Sequence, residues 1–359
     1  MRFLISGYYG FENVGDEALL RVIVAGLRTR FPLATIEALS ATPEATAHDY
    51  GIEAAPRWDQ AAIRAAVTRA DALISGGGGL LQNSTSLKSL IYYAGIVQTA
   101  IRAGKKTMVF AQSIGPLDFF GKQTVRKLCK GLGAATVRDE RSRALLAPLL
   151  PATPVERTAD PVFTYDPPET EAPGPADVAD DGQPLAVVCV RKTANFSDGV
   201  PVIAAAVDRL ARAHGVRTVF LPFGGSADAE AATLVIRKCA SQPMLLPAGD
   251  LAAIARTIAR ARLVVGVRLH ALILAIRFGV PFLAVPYDPK VTGLVEDIGY
   301  PLPALWTPGM RSVPAFVERL VDEAWTRRDE LAALVARACD AQRRLAGRNF
   351  DVLAELCAR

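Results

Sequence analysis

The chain is poor in the residues that mark metal centres and disulfide frameworks. Its cysteines are Cys129, Cys189, Cys239, Cys339 and Cys357, and its only histidines are His48, His214 and His270. No two cysteines stand in a C-x-x-C pair or at zinc-ligand spacing, so no metal is expected, and an odd, scattered set indicates reduced thiols in a cytoplasmic protein. Aromatic residues make up only 7%, and no DNA- or RNA-binding signature interleaves them with cations, which argues against a nucleic-acid partner. No apolar run approaches the ~18 residues that a membrane-spanning helix needs. The opening Met1-Arg2-Phe3-Leu4-Ile5-Ser6-Gly7 has too short an apolar run, ending in Gly rather than at a small-residue cleavage site, to be a secretory signal. It is read as a first strand.

What is present is apolar and long. The 359 residues are 51% hydrophobic and 21% charged, and a single core stops growing at roughly 250–300 residues, so two ordinary cores are expected. The net charge of +5 suits anionic small substrates or an anionic membrane surface, although Arg so outnumbers Lys that a compositional bias accounts for it equally well.

Short runs rich in Val, Ile, Leu and Phe alternate with longer amphipathic stretches. Strands are predicted at 2–6, 35–39, 72–75, 106–111 and 135–137, then at 185–190, 217–222, 263–266 and 282–285. Helical patterns occupy 16–30, 59–69, 88–103 and 199–213. Apolar strands alternating with helices imply parallel sheets covered on both faces. The expected fold class is therefore α/β, with two Rossmann-like domains facing across a cleft. The predicted division is an N-terminal domain over 1–166, an acidic, proline-rich linker over 167–184 and a C-terminal domain over 185–313. One or two helices over 314–359 would pack back on the N-terminal domain. In such folds ligands sit at the C-terminal ends of the strands, inside the cleft.

Six strand ends carry polar residues. After the first come Gly7-Tyr8-Tyr9-Gly10-Phe11 and Asn13-Val14-Gly15-Asp16-Glu17-Ala18, leading into a helix capped by Gly15 or Asp16. The spacing is wrong for a dinucleotide fingerprint. Asp16 or Glu17 reads either as a cap in a tight turn or as a carboxylate that orients or deprotonates an acceptor hydroxyl. Ser75-Gly76-Gly77-Gly78-Gly79 follows the third strand, and such a glycine run costs backbone entropy. It suits a place where the chain crowds a ligand, with Gln82 and Asn83 following as polyol partners or helix caps. Arg138, Arg191 and Arg268 each terminate or closely follow a strand. Arg presents a planar fork for carboxylate or phosphate, and burying unpaired arginines without an anionic ligand would be costly. A ligand with at least two negative charges is expected, against the alternative that each Arg pairs with a local acid. His270, beside Arg268 at a helix start, can exchange a proton near neutral pH. His48 and His214 read as exposed. Tyr287 and Lys290 stand at the neighbouring strand end, Asp139 reads as a helix cap, and Asp160-Pro161 as a hinge or cap.

In this order the motifs resemble the polysaccharide pyruvyl transferase family, of the CsaB type. The resemblance is carried by Gly7-Tyr8-Tyr9-Gly10-Phe11, Gly15-Asp16-Glu17-Ala18, Ser75-Gly76-Gly77-Gly78-Gly79-Leu80-Leu81-Gln82 and Ala111-Gln112-Ser113-Ile114-Gly115-Pro116. Val137-Arg138-Asp139, Arg268-Leu269-His270 and Tyr287-Asp288-Pro289-Lys290-Val291 complete it, over residues 3–299. It implies a fold like the two-domain GT-B glycosyltransferases. It also implies transfer of pyruvate from phosphoenolpyruvate to a sugar as a cyclic ketal, typically on N-acetylmannosamine of a cell-wall precursor, with no cofactor. Arg268, Leu269 and His270 carry over to the phosphoenolpyruvate site and Arg138 matches the Val-Arg-Asp motif, while Arg191 rests on the strand-end argument. The acceptor, a sugar or lipid-linked saccharide, is assigned to Gly10, Asp16, Glu17, Gly77, Gly78, Gln82 and Asn83, with His270 and Asp16 as catalytic residues. Asn83 departs from the acid that relatives commonly place there. A lipid-linked acceptor would draw the protein to the inner leaflet of the membrane. The rival readings are a nucleotide-sugar glycosyltransferase of the same architecture and a non-catalytic glycan- or anion-binding module.

Overall fold

The computed structural model describes residues 1–167, 182–193, 195–311 and 313–359; most of the expected linker at 167–184 lies outside them. The chain divides into unit 1, Met1–Tyr165 with Gln342–Arg359, and unit 2, Asp166–Ala341. In unit 1 the elements run β1 (Arg2–Tyr9), α1 (Val14–Arg30), β2 (Thr35–Ser40), α2 (Pro43–Tyr50), β3 (Glu53–Pro56), α3 (Gln60–Arg69), β4 (Ala72–Ser75) and α4 (Leu87–Arg102). They continue with β5 (Lys106–Gln112), α5 (Phe119–Leu128), β6 (Ala134–Val137), α6 (Glu140–Leu146), β7 (Val155–Arg157) and a 3-10 turn at Pro161–Thr164. Unit 2 holds β8 (Leu185–Cys189), α7 (Phe196–His214), β9 (Arg217–Phe220), α8 (Gly225–Ile236), β10 (Met244–Leu245), α9 (Leu251–Ala259) and β11 (Leu263–Gly266). After it come α10 (Leu269–Arg277), β12 (Phe282–Ala284), α11 (Pro289–Asp297), α12 (Pro314–Thr326) and α13 (Arg328–Ala358), the last of which runs on into the Gln342–Arg359 segment of unit 1.

Both sheets are parallel. Unit 1 has the order β3-β2-β1-β4-β5-β6-β7 and unit 2 the order β10-β9-β8-β11-β12. The runs read as strands in the sequence are strands, three of them (185–190, 217–222 and 282–285) ending earlier than expected. The three that escaped, β3, β7 and β10, are short strands at sheet edges. An edge strand is covered less completely and needs no continuous apolar run, so it leaves a weak trace in sequence.

Side chains alternate across β1. Leu4 joins a buried cluster with Ile63 and Val67 of α3, Leu90 and Val97 of α4 and Val125 of α5. Phe3 and Ile5 point the other way, into a cluster with Leu20 and Ile23 of α1 and Phe350, Leu353 and Leu356 of α13. Phe350 meets Phe110 edge-on with centroids 5.0 Å apart. It also lies so close to Gly26 that a Cβ there would stand 2.2 Å from its ring. Asn349 is wholly buried and anchors the same turn, accepting from Thr158 Oγ1 at 2.7 Å and donating to the Ala159 carbonyl at 3.0 Å. Truncating Phe350 to alanine is expected to cost about 3–5 kcal/mol, read as a lower urea midpoint for unit 1. An unchanged midpoint would show that the helix end adds nothing to that core.

Candidate functional site

In each sheet the strand order reverses once, between β1 and β4 in unit 1 and between β8 and β11 in unit 2. At such a point neighbouring loops leave in opposite directions and open a crevice at the C-terminal strand edge. The residues singled out from sequence fall on these two edges.

In unit 1 the helix after β1 begins at Val14 with Asn13 in the cap position; the expected cap, Gly15 or Asp16, is displaced into the first turn. Asp16 faces back to Asn13, whose Nδ2 donates to its Oδ2 at 2.5 Å. It also faces Gly78, where a Cβ would lie 3.1 Å from Asp16 Oδ1. Gly78 has φ +82°, a left-handed conformation that favours glycine. The loops after β1 and β4 thus meet around the Asp16 carboxylate. Glu17 is committed to holding the first loop, accepting from Gly10 N at 2.9 Å and from the Tyr50 hydroxyl at 2.5 Å. Burial, the Glu17 charge and that bond together push the Tyr50 phenol well above its ordinary range.

The glycine run is explained partly by the protein's own side chains. A Cβ at Gly76 would lie 2.5 Å from the Tyr9 hydroxyl, and one at Gly77 would lie 2.6 Å from Leu19. At those two positions close packing replaces the expected crowding by a ligand. Gln82 and Asn83 also have internal duties. Gln82 Oε1 accepts from Ser84 and from Thr85 N, while Asn83 Oδ1 accepts from Asp118 N at 3.1 Å. Both brace the loops on either side of α4 and α5.

The segment Ala111–Pro116 ties the strand ends together. Gln112, fully buried, donates through Nε2 to Ser75 Oγ at 2.8 Å and to the Ser75 carbonyl at 3.0 Å. Ser113 Oγ accepts from Arg138 Nε at 2.6 Å and donates to Asp139 Oδ2 at 3.0 Å. Arg138 Nη1 is 2.5 Å from Asp160 Oδ2. Asp139 caps α6 through Ser142 N at 2.7 Å, and Asp160 caps the 3-10 turn through Val162 N at 3.0 Å.

In unit 2 the register pairs Cys189 with Gly266, so Arg191 and Arg268 each follow two residues beyond that pair on adjacent strands. Gly266 also pairs with Ala284 of β12, which brings Tyr287 to the same edge. Arg191 is exposed and donates to the Tyr287 hydroxyl at 3.1 Å. Arg268 stands in the N-cap position of α10, and Leu269 and His270 form the first residues of that helix, all three partly exposed.

The expectation of unpaired arginines is overturned for two of the three. Asp228, only 1% exposed, takes Arg268 in a two-pronged bond, Nε at 2.9 Å and Nη2 at 2.5 Å. It accepts from Phe223 N at 3.1 Å as well. Gly224 leaves room for that fork, because a Cβ there would lie 2.2 Å from Arg268 Nη2 and displace it. Arg138 has Asp160. A paired guanidinium does not by itself call for an anionic ligand, so charge counting no longer requires a doubly charged one. Nor do the arginines share an edge: Arg138 stands on the sheet of unit 1, while Arg191, Arg268 and His270 stand on that of unit 2. His214, expected to be exposed, is mostly buried and lies 2.8 Å from Asp322 Oδ1. Arg209 and His214 hold the Asp322 carboxyl below its usual range.

One cluster was missed. Arg57 is 1% exposed, donating to the Gly7 carbonyl at 2.7 Å and to the Tyr93 hydroxyl at 2.9 Å. Rings of Tyr8, Phe11, Trp58, Tyr92 and Tyr93 surround it, with centroids 4.7–5.8 Å from its guanidinium carbon. Tyr8 stacks on Phe11 at 4.2 Å, and Trp58 is 64% exposed. The signal available in sequence was the concentration of aromatics here in an aromatic-poor chain. Among the described residues no group of His, Cys, Asp and Glu could hold a metal ion.

A family model described as polysaccharide pyruvyl transferase matches residues 13–289. No curated protein sequence matches the chain. Among solved structures, a putative UDP-N-acetylglucosamine 2-epimerase from Listeria monocytogenes superposes with TM-score 0.66 at 12% identity, covering 99% of this chain and 96% of that one. HepE from Anabaena, in complex with UDP and glucose, gives TM-score 0.64 at 12% identity, with 100% and 99% covered. The spinosyn rhamnosyltransferase SpnG gives 0.59 at 13% identity over 100% of both chains. At such identities the likeness shows the fold alone, that of two Rossmann-like sheets as in GT-B glycosyltransferases and epimerases.

Proposed function

Because the chain belongs to the polysaccharide pyruvyl transferase family, we propose that it transfers pyruvate from phosphoenolpyruvate to a sugar as a cyclic ketal, releasing phosphate, with N-acetylmannosamine of a cell-wall precursor as acceptor. The observation that carries the donor assignment is the edge shared by Arg191, Arg268, Leu269 and His270 at the reversal point of the second sheet. There Arg268 is pre-oriented by Asp228, and the N-terminus of α10 adds a field favourable to an anion. Phosphoenolpyruvate offers a carboxylate and a phosphate to such groups. Arg138, which the Val-Arg-Asp motif also assigns to phosphoenolpyruvate, stands on unit 1 and is held by Asp160 and Ser113.

The acceptor is assigned to unit 1. Asp16, beside Gly78, is the base for a sugar hydroxyl, and the exposed faces of Trp58 and Tyr8 suit the apolar face of a pyranose. Glu17, Gly77, Gln82 and Asn83 contribute by shaping the loops. His270 donates a proton to the methylene carbon of phosphoenolpyruvate, leaving an oxocarbenium centre at C2. One sugar hydroxyl adds to it, phosphate departs with its bonding electrons, and a second hydroxyl closes the ketal. Asp16 takes the proton of the first hydroxyl, which returns through solvent to His270, and that of the second leaves with phosphate. Arginines neutralise the departing charge without a metal.

Incubation with phosphoenolpyruvate and a panel of N-acetylhexosamine acceptors, free and lipid-linked, tests the reading. Phosphate release with a ketal adduct in the mass spectrum is expected for at least one acceptor. Hydrolysis of a UDP- or GDP-sugar with no phosphoenolpyruvate consumed would replace the reading with a glycosyltransferase.

A further inference from the structure

Helices α4 and α5 pack side by side, and their N-terminal ends are tied together. Asn83, just before α4, accepts from Asp118 N, just before α5, at 3.1 Å and donates through its own N–H to the Pro116 carbonyl at 3.1 Å. These helices follow β4 and β5 of a parallel sheet, so their N-termini emerge at the strand edge that carries Asp16 and Gly78. At that edge the surface is unusually apolar. Phe119 and Phe120 open α5 at 68% and 67% exposure, and Leu87 and Ile91 of the first turns of α4 are exposed as well. The two phenyl rings touch edge to face at 5.7 Å and shield only each other.

On the two helices the charge has one sign, with the exposed carboxylate of Asp118 standing just before α5. Neither Leu87–Arg102 nor Phe119–Leu128 contains an aspartate or glutamate. Lys88, Arg126, Lys127 and Lys130 are exposed and Lys122 is half-buried; none of them forms an ion pair among the described residues. Gly121 and Val125 are the buried side of α5, which turns Phe119 and Phe120 of its first turn and Arg126 and Lys127 of its last outward on one face, with exposed Lys130 just beyond its end. An acidic protein partner would answer the cations but would also need a pocket fitted to the two projecting phenyl rings. An anionic bilayer answers both, because aromatic rings settle at headgroup level while cations hold the lipid phosphates. Among the described residues no helix is long and apolar enough to cross a membrane, so the contact is one of attachment.

We propose that the N-terminal end of α4 and the outer face of α5 along its length form a docking surface for an anionic phospholipid bilayer, with Phe119 and Phe120 entering the headgroup layer and Lys122, Arg126, Lys127 and Lys130 on anionic headgroups. The proposal rests on the acceptor reading only for its purpose, which is to meet a lipid-linked saccharide at the edge that carries Asp16. The binding itself stands on the surface.

The test is flotation of the full chain with vesicles of phosphatidylcholine and phosphatidylglycerol at 3:1, and with phosphatidylcholine alone, at low and high salt. Partitioning to the anionic vesicles is expected, weakening steeply with salt. The pair Phe119→Ser and Phe120→Ser is expected to lower it at least tenfold, and so is the pair Arg126→Glu and Lys127→Glu. Both pairs are exposed, so circular dichroism and phosphate release with a soluble acceptor are expected to match the wild type. If phosphate release is absent in every protein, only the transferase reading fails. The docking surface is overturned if the wild type ignores anionic vesicles or if the variants partition equally. It is overturned too if light scattering shows a dimer that Phe119→Ser and Phe120→Ser dissolve, which would give the patch to a second copy.

Discussion

Replacing His270 with alanine is expected to slow phosphate release from phosphoenolpyruvate by about 100- to 10,000-fold, the usual contribution of a positioned proton donor. The KM for phosphoenolpyruvate should stay within about threefold, because uniform binding and transition-state interactions separate in this way. The geometry gives the reason. His270 is the second residue of α10, so it moves with a helix whose cap, Arg268, is fixed by Asp228. The alanine side chain removes the imidazole and leaves the arginines, the helix terminus and the backbone in place. Steady-state rates with saturating acceptor settle it. A variant turning over like the wild type would take the proton donor away from this residue.

The second large effect belongs to a residue that touches no substrate in the proposed scheme. Asp228→Asn keeps the shape of the side chain and an acceptor for Phe223 N, but it removes the charge opposite Arg268. Arg268 is 12% exposed and Asp228 1%, so the cation would be left buried without its counterion. Breaking such a pair costs about 3–5 kcal/mol, a fall in melting temperature on the order of 10 °C for a unit of this size. The kinetic signature should be the reverse of that at His270: a raised KM for phosphoenolpyruvate with a smaller loss in kcat. Thermal unfolding and initial rates read the two effects separately. A wild-type KM in a destabilised protein would confine Asp228 to stability.

These residues mark the boundary of what was legible in the chain. Val264 and Val265, Val187 and Val188, and Leu73 and Ile74 sit in strands buried on both faces, and continuous apolar runs announce such strands. From that alternation followed the parallel sheets, and from the strand ends the placing of Arg191, Arg268 and His270. The acidic partners were illegible because pairing is made by the fold and not by spacing: Asp228 is 40 residues from Arg268, and Asp160 is 22 from Arg138. Nothing in the neighbourhood of either arginine points to them. The glycine run shows the converse limit, since sequence indicates that space is needed and not who fills it. At Gly76 and Gly77 the occupants are Tyr9 and Leu19. The aromatic surround of Arg57 gathers residues 8, 11, 58, 92 and 93, an arrangement visible only once β1, β3 and α4 are side by side.

The segment Gln342–Arg359 belongs to the unit that begins at Met1, and this sets an order of events during synthesis. Domains generally form as they leave the ribosome, the N-terminal one first. Here the first sheet can assemble early, yet the place of Phe350, Leu353 and Leu356 beneath β1 and β5 stays open until the whole of unit 2 has been translated. For that interval the nascent chain carries an uncovered apolar face, which is the kind of surface that chaperones engage. The unit started first is therefore finished last.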